Sequence, residues 1–226
     1  MTPRSTQDWV QAVQAALRPL ADAERAGPMR AYMKDQFPFL GVATPARRQA
    51  VAFLGREWDG DILAVAQSLW ALPEREYQYV ACDLLRQHVQ GLMDTDLSIL
   101  YLLILDKSWW DTVDSLAVTV GALVQQYPRL IAQMDEWIAN PNLWIRRVAL
   151  LHQLAWKSET DQDRLFGYCL RRAGDTDFFI RKAIGWALRQ YARENPTAVA
   201  RFIRSHENQL SGLSIREAMK HLKGEP

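Results

Sequence analysis

An internal repeat of 35 residues limits what this chain can fold into more than any other feature of its sequence. The dipeptide Ile-Arg recurs at intervals of 35 residues, as Ile145-Arg146, Ile180-Arg181 and Ile215-Arg216. A repeat of this length, in a chain with helical patterning, is typical of helix pairs that stack on one another. Each pair buries its apolar face against its neighbours, and such a stack presents a long concave surface on which function usually lies.

The spacing of apolar residues supports helices throughout. They recur at every third or fourth position, as on one face of an α-helix, and hardly any segment alternates like a strand. Thr44-Pro45 has the form of a helix start with Thr44 as N-cap, and Ser108 is a second candidate N-cap. The sequence therefore predicts an all-α fold, a HEAT-like α-solenoid of stacked antiparallel helix pairs, forming a single domain over residues 1–226.

The charges are distributed unevenly along the chain. Although the net charge is only +1, residues 141–226 hold 15 Lys and Arg against 9 Asp and Glu, whereas residues 1–140 hold 12 against 17. This asymmetry predicts a basic, concave face in the C-terminal half that meets an anionic partner. A chance distribution over solvated helix faces explains the charge counts equally well.

Composition excludes several classes of protein. With 49% apolar and 23% charged residues, the chain is globular and not disordered. The longest apolar run, 97–105, is far too short to span a bilayer, and no apolar segment of a secretory signal follows Met1. Two cysteines make no disulfide framework. We expect a cytoplasmic protein, associated with the nucleoid if bacterial.

The nine tryptophans divide into two groups. An indole at helical spacing is usually buried, so most of them are predicted to lie in the core or between repeats. These are Trp9, Trp58, Trp70, Trp137 and Trp156.

The segment 107–115 is different. Trp110 and Asp114 are four residues apart on one face of a predicted helix, so that both can contact one ligand. Adjacent helix positions diverge by about 100°, so Trp109 and Trp110 cannot both face the core. The structural alternative is that Asp114 only caps, or forms a salt bridge with, a neighbouring helix.

A second candidate face follows the second copy of the repeat. Lys182, Trp186 and Arg189 share one side of a helix and surround an indole with cations, an arrangement suited to a phosphate and a sugar. Gly185, inside that helix, costs about 1 kcal/mol relative to Ala. It is tolerated where a neighbouring helix or a ligand backbone approaches closely.

Other chemistries find little support. The four histidines form no zinc-binding pattern, and the chain has neither a Gly-rich phosphate loop nor a Gly-x-Ser-x-Gly elbow. No metal site is predicted.

These residues carry a resemblance to a known family. The sequence resembles the AlkD-type DNA alkylation-repair glycosylases, a family of HEAT-like repeat proteins, over most of its length. The matching segments are 32–34, 39–41, 44–48, 69–70, 72–76, 107–115, Trp144 with Arg147, and 182–186 with Leu188 and Arg189. The most specific are Lys-Ser-Trp-Trp-Asp at 107–111 and Ile-Gly-Trp at 184–186.

The resemblance implies hydrolysis of the N-glycosidic bond of N3- or N7-alkylated purines, such as 3-methyladenine and 7-methylguanine, in duplex DNA. It implies that the lesion is not flipped into a pocket, unlike in most glycosylases. Asp114 is then the catalytic carboxylate, and Trp110 and Trp186 flank the lesioned nucleotide.

The same resemblance assigns DNA contacts or a role in shaping the cleft to Tyr32, Arg48, Arg147 and Arg189, to which the shared helix face adds Lys182. Ala43 departs from the polar residue expected before Thr-Pro, which concerns a contact to the opposite strand and not the chemistry. The expected partner is double-stranded DNA containing alkylated purines, bound by a monomer with no cofactor, no metal and no membrane.

Two other functions remain open. One is a HEAT-like scaffold that binds DNA or protein without catalysis. Solenoids are commonly binding scaffolds, so this function is favoured before the motifs are considered. The combination of Asp114 with Trp110 and Trp186 argues against it, because a scaffold has no use for a carboxylate between two exposed indoles. A family member with a different lesion range is the third possibility.

Overall fold

The computed structural model describes residues 5–55 and 60–221, and over these ranges the regular secondary structure is exclusively helical. The prediction of an all-α fold is confirmed. None of the described helices is both long enough and apolar enough to cross a membrane. Contacts divide the chain into two compact units, Met1–Gly91 and Leu92–Pro226. A single domain over the whole chain stays a prediction.

The described residues of the first unit form five α-helices. They are α1 (Thr6–Leu17), α2 (Ala23–Tyr32), α3 (Thr44–Ala50), α4 (Ile62–Ala71) and α5 (Arg75–Gln87). Short 3₁₀ helices cover Arg18–Leu20, Ala52–Gly55 and Val89–Gly91. Helix α4 packs on α5 and α1, and Trp9 and Trp70 are fully enclosed in the resulting core.

A buried carboxylate shapes the segment that leads into α3. Glu76, in α5, accepts hydrogen bonds from the backbone N–H groups of three successive residues, Leu40, Gly41 and Val42, at 2.9–3.1 Å. Gly41 has φ +88°, and a Cβ atom there would overlap the carbonyl oxygen of Asp22. Glu76 therefore satisfies three N–H groups that this turn leaves without backbone partners.

In the second unit, the part of the chain that the structure describes forms eight α-helices. They are α6 (Leu97–Leu105), α7 (Trp110–Gln126), α8 (Ile131–Trp137), α9 (Leu143–Leu151), α10 (Gln162–Arg171), α11 (Phe178–Tyr191), α12 (Pro196–Ser205) and α13 (Gly212–Ala218). Short 3₁₀ helices cover Asp94–Asp96, Pro128–Leu130, Lys157–Glu159 and Met219–His221.

The helices of the second unit stack in two rows. In the odd-numbered row, α7 packs on α9, α9 on α11, and α11 on α13. In the even-numbered row, Tyr101 of α6 packs on Trp137 of α8, and Phe166 of α10 stacks on Phe202 of α12 at 4.2 Å. Between them, Arg164 of α10 binds Asp135 of α8 at 2.6 Å. Stacked rows of this kind make the unit solenoid-like, as the 35-residue repeat predicts.

The repeat marks equivalent places in the odd-numbered row. Ile145 and Ile180 are each the third residue of their helices, α9 and α11, and both are fully buried. Ile215, in the last helix α13, is half-buried. The exposure rises at the third copy because no further repeat covers it among the described residues.

The structure corrects two predicted helix starts. Helix α3 already includes Thr44, and its N-cap is Ala43. The methyl side chain of Ala43 cannot accept a hydrogen bond. Ser108 does not cap α7, because its hydroxyl donates to the carbonyls of Ile104 and Leu105 at the end of α6. The N-cap of α7 is Trp109.

The predicted packing tryptophans behave largely as expected. Trp9, Trp70 and Trp137 are buried. Trp156 is half-buried between repeats, and its indole Nε1 donates to the carbonyl of Gly121 in α7 at 3.2 Å. Trp58 lies outside the described residues.

Two helix glycines offer a matched test of the row packing. Gly121 lies so close to the end of α9 that a Cβ atom would overlap the carbonyl oxygen of His152, whereas Gly167 in α10 faces open space. We expect Gly121→Ala to lower the free energy of unfolding by about 1–3 kcal/mol, because backbone must move. Gly167→Ala is expected to raise it by about 0.4–1 kcal/mol. Urea denaturation measures both, and equal stability of the two variants would contradict the packing described.

Candidate functional site

The two oxygens of Asp114 are held by one arginine. Asp114 is the fifth residue of α7 and Arg147 the fifth residue of α9. Arg147 Nε donates to Asp114 Oδ1 at 2.7 Å, and Nη2 donates to Oδ2 at 2.8 Å. This is the two-pronged geometry in which guanidinium and carboxylate match best. The side chains are only 5% and 13% exposed, so the pair is held in a largely dehydrated environment.

Arg147 also reaches the third helix of the row. Its Nη1 donates to the backbone carbonyl of Phe179 in α11 at 2.5 Å. The Phe179 ring packs against Trp144 at 5.0 Å and against Trp109 at 5.2 Å. An aromatic cluster thus lies beside the ion pair, and one guanidinium ties α7, α9 and α11 together.

The environment of Asp114 shifts its acidity. Burial raises the pKa of the Asp114 carboxyl, and the nearby charge of Asp111 adds to the rise. The hydrogen bonds and charge of Arg147 act in the opposite direction but do not cancel the effect of burial. The carboxyl is therefore a weaker acid than an ordinary aspartate, although a cation is bound to it.

The two adjacent tryptophans have different surroundings. Trp109, at the extended N-cap position, places its indole in the aromatic cluster with Trp144 and Phe179. Trp110 is the first residue of α7, one turn before Asp114 and on the same face of that helix. Both indoles are half-buried. The N-cap backbone, rather than helical rotation alone, separates the two rings.

The second predicted face lies on α11. Lys182 and Arg189 both form ion pairs with Glu217 of α13, at 2.8 and 2.9 Å. Trp186 lies between the two cations on the same helix face and is half-buried. The structure thus joins Lys182 to Arg189 through a carboxylate that the sequence analysis did not single out.

The close approach predicted at Gly185 is that of a neighbouring helix. A Cβ atom at Gly185 would overlap the Cβ of Glu217 and lie 2.7 Å from the carbonyl oxygen of Ser214. Both neighbours belong to α13. The glycine therefore permits the contact that brings Glu217 to Lys182 and Arg189.

The remaining predicted residues lie in the first unit. Tyr32, at the end of α2, is 70% exposed. Arg48, in α3, binds Asp83 of α5 through Nε and Nη2 at 3.2 and 3.1 Å. Asp83 also binds the buried Arg47, and the hydrogen bonds and charges of the two arginines outweigh burial to lower the pKa of Asp83.

Sequence reasoning missed Asp83 and Glu217, the carboxylate partners of Arg48, Lys182 and Arg189. Glu217 had a readable signal, because it lies 35 residues after Lys182, which itself lies 35 residues after Arg147. Burial acts to raise the pKa of Glu217, but hydrogen bonds from Lys182 and Lys220 lower it to about 2. Glu217 is therefore ionised at neutral pH.

The arrangement offers a carboxylate and indole rings as its chemical groups. Within residues 5–55 and 60–221, no group of three His, Cys, Asp or Glu side chains is placed to hold a metal ion. Asp114 is an oriented, poorly solvated anion, which is suited to stabilising a developing positive charge.

Comparison with known proteins shows what the whole chain is similar to. The model of a family described as DNA alkylation repair enzyme matches residues 13–222. A solved structure described as a predicted DNA alkylation repair enzyme from Enterococcus faecalis is 36% identical in sequence and aligns with a TM-score of 0.80. That alignment covers 91% of this chain and 98% of the other. No curated protein sequence gives a significant match.

The buried ion pair generates a stability prediction. Arg147→Met leaves the Asp114 carboxylate buried without a counter-charge, so we expect a loss of about 3–5 kcal/mol in the free energy of unfolding. Adding Asp114→Asn to Arg147→Met is expected to restore part of that loss, because the neutral amide needs no counter-charge. Urea denaturation of the single and double variants measures the coupling, expected at about 0.5–3 kcal/mol. Strictly additive losses would show that the pair does not act as a unit.

Proposed function

Because the chain belongs to the family of DNA alkylation repair enzymes, which supports a role in the repair of alkylated DNA, we propose that it is a DNA glycosylase. It hydrolyses the bond between deoxyribose and an N3- or N7-alkylated purine in duplex DNA, with 3-methyladenine and 7-methylguanine as substrates. This is the first step of base excision repair. It acts without flipping the base into a pocket, and it uses no cofactor.

The chemistry begins with the leaving group. Alkylation at N3 or N7 gives the purine a positive charge, so the bond between N9 and C1′ can break without a general acid. Its electron pair moves to the purine and neutralises that charge. The positive charge then develops on the sugar, as in other glycoside hydrolyses. The protein must stabilise this charge and position a water molecule.

Asp114 is suited to both tasks. A carboxylate has about four lone-pair sites, and the fork of Arg147 occupies two of them. The remaining sites can face the sugar and accept a proton from the water that adds to C1′. Because the Asp114 side chain is only 13% exposed, its charge acts through a poorly screened environment.

Arg147 is a positioning residue in this proposal. It fixes both oxygens of Asp114 and is itself fixed by the carbonyl of Phe179. Its residue exposure of 4% argues against a contact with the DNA backbone and favours the role of shaping the cleft.

The two indoles complete the catalytic group. Trp110 is one turn from Asp114 on α7, and Trp186 lies on α11. Indole faces attract positive charge, with about 0.5–2 kcal/mol for each contact. We assign Trp110 and Trp186 to the two sides of the cationic nucleotide.

The proposed DNA contacts come from the exposed cations and from Tyr32. Lys182 and Arg189 flank Trp186, and their side chains are 35% and 22% exposed. Arg48 is 56% exposed in spite of its ion pair with Asp83. These side chains can reach phosphates, which supply most of the affinity for duplex DNA.

The observation that carries the proposal is the oriented, largely buried Asp114 carboxylate, one turn from Trp110. The alternative function is a scaffold without catalysis. The same ion pair is compatible with it, because a purely structural Asp114 would also need a bound arginine. The two functions differ in whether the alkylated base is released.

Release of 7-methylguanine tests the assignment of Asp114. We expect the wild-type protein to release 7-methylguanine from methylated duplex DNA. Asp114→Asn should slow release by about 10²–10³-fold, the usual cost of removing one preorganised electrostatic group. Asp111→Asn, three residues earlier on α7, is the matched control and should release the base at the wild-type rate at neutral pH.

Affinity for unmodified duplex DNA separates the outcomes. Asp114→Asn should retain it, because the carboxylate repels rather than attracts phosphates. If the Asp114→Asn variant released 7-methylguanine at the wild-type rate, the catalytic assignment of Asp114 would be refuted. A folded wild-type protein that binds duplex DNA and releases neither 7-methylguanine nor 3-methyladenine would favour the scaffold.

The acidity of Asp114 predicts a pH dependence. The carboxylate must be ionised, and its pKa is raised, so the rate of release should fall on acidification at a higher pH than an ordinary aspartate would give. Single-turnover rates, corrected for spontaneous loss of the base, measure the midpoint. The residual rate of the Asp114→Asn variant should not fall on acidification in this way. If it falls at the same pH as the wild-type rate, the titrating group is not Asp114.

A further inference from the structure

Glu217 gathers three cations around one carboxylate. Lys182 Nζ and Lys220 Nζ both bind its Oε1, at 2.8 and 2.7 Å, and Arg189 Nη1 binds its Oε2 at 2.9 Å. Lys182 and Arg189 belong to α11, whereas Lys220 lies in the 3₁₀ helix that follows α13. The cluster therefore joins side chains from two consecutive odd-numbered helices and the segment after them.

The close approach of α13 explains how one carboxylate reaches both cations of α11. Lys182 and Arg189 are seven residues, or about two turns, apart along the helix. Gly185, between them, has no Cβ, and the backbone of Ser214 and the Cβ of Glu217 occupy that space. The carboxylate is thereby set between the two cations and binds each with a different oxygen.

A clamp between two helices needs only one cation for one carboxylate, whereas this cluster has three. Among the described residues, the cluster thus holds two more positive charges than negative ones. The Lys182 and Lys220 ammonium groups lie no farther apart than the sum of their distances to Oε1, so they repel each other. The cations are 22–52% exposed, but Glu217 is only 10% exposed. The surplus positive charge therefore faces solvent above a buried anion.

We propose that Lys182, Arg189 and Lys220 bind one phosphodiester of the DNA backbone, and that Glu217 positions them for it. The inference rests on the proposed function, since its ligand is the duplex that carries the lesion. It adds Lys220 to the DNA-contacting residues and gives Glu217 a role as a positioning residue.

The chemistry of the cluster matches a phosphodiester. Each ammonium has three N–H donors, of which the bond to Glu217 uses one, and the guanidinium has five donors. Phosphate oxygens only accept hydrogen bonds, so they can take the donors that point away from Glu217. The bound phosphate also relieves the repulsion among the three cations.

The position of the cluster connects it to the proposed catalytic group. Trp186 follows Lys182 by four residues and precedes Arg189 by three, so it lies on the same face of α11. A phosphate held there lies beside the indole assigned to the lesioned nucleotide. The cluster would then set the position of the strand relative to that indole.

Salt dependence of DNA binding tests the phosphate site. Lys220→Gln removes one charge and keeps most of the side-chain length, so the slope of log K against log salt for an unmodified duplex should fall in magnitude by about 0.9. Arg204→Gln, an exposed arginine of α12 in the even-numbered row, is the matched control and should keep the wild-type slope. A wild-type slope in Lys220→Gln would overturn the site.

Glu217→Gln tests the positioning role, because two explanations predict opposite changes. If the cations acted only through net charge, removing a negative charge would tighten DNA binding. If Glu217 positions them, affinity for the same duplex should fall in spite of the added positive charge. Tighter or unchanged binding by a variant that unfolds at the wild-type temperature would overturn the role of Glu217.

Both measurements use unmodified DNA, so they do not depend on release of a base. Loss of the proposed catalysis would leave the salt slopes interpretable. A glycosylase whose Lys220→Gln and Glu217→Gln variants bind DNA like the wild type would refute only the phosphate site.

Discussion

A carboxylate that is only 13% exposed needs a matching charge, and Arg147 supplies it to Asp114 through two parallel hydrogen bonds. Nη1 of the same guanidinium donates to the carbonyl of Phe179, so that one side chain contacts α7 and α11 from α9. Removing either charge would leave the other buried without a partner, which is costly in a poorly solvated interior. The orientation of the proposed catalytic oxygen and the packing of the odd-numbered row therefore depend on the same interaction.

The repeat explains why charged residues face one another along this row. Asp114, Arg147 and Lys182 are each the fifth residue of successive odd-numbered helices, and Glu217 follows 35 residues after Lys182. Stacked repeats bring equivalent positions into contact, so charges in register either pair or repel. Here the signs run negative, positive, positive, negative. Arg147 pairs with Asp114 and Lys182 pairs with Glu217, so that these four residues form two separate ion pairs.

The 35-residue repeat and the helical spacing were sufficient to predict the all-α fold, because both follow from the burial of one apolar face per helix. Local details depended on tertiary contacts and were less predictable. Ser108 has the residue type of an N-cap, but the end of α6 offers its hydroxyl two carbonyl acceptors. The sequence suggested that Asp114 either acts in a site or binds a neighbouring helix. The structure shows an ion pair between Asp114 and a neighbouring helix. A role in a site is compatible with that ion pair, because Arg147 occupies only some of the lone-pair sites of the carboxylate.

Counting cations could not distinguish the proposed DNA contacts from the cations that hold the fold together. In the proposal, the difference lies in how many cations share a carboxylate. Arg147 is matched one to one with Asp114 and is buried, so it has no surplus charge to offer a phosphate. Around Glu217 three cations share one anion and are exposed above it. A carboxylate beneath surplus cations does not cancel their attraction for DNA. In the proposed site, Glu217 fixes their positions before DNA binds, which reduces the conformational entropy lost on binding.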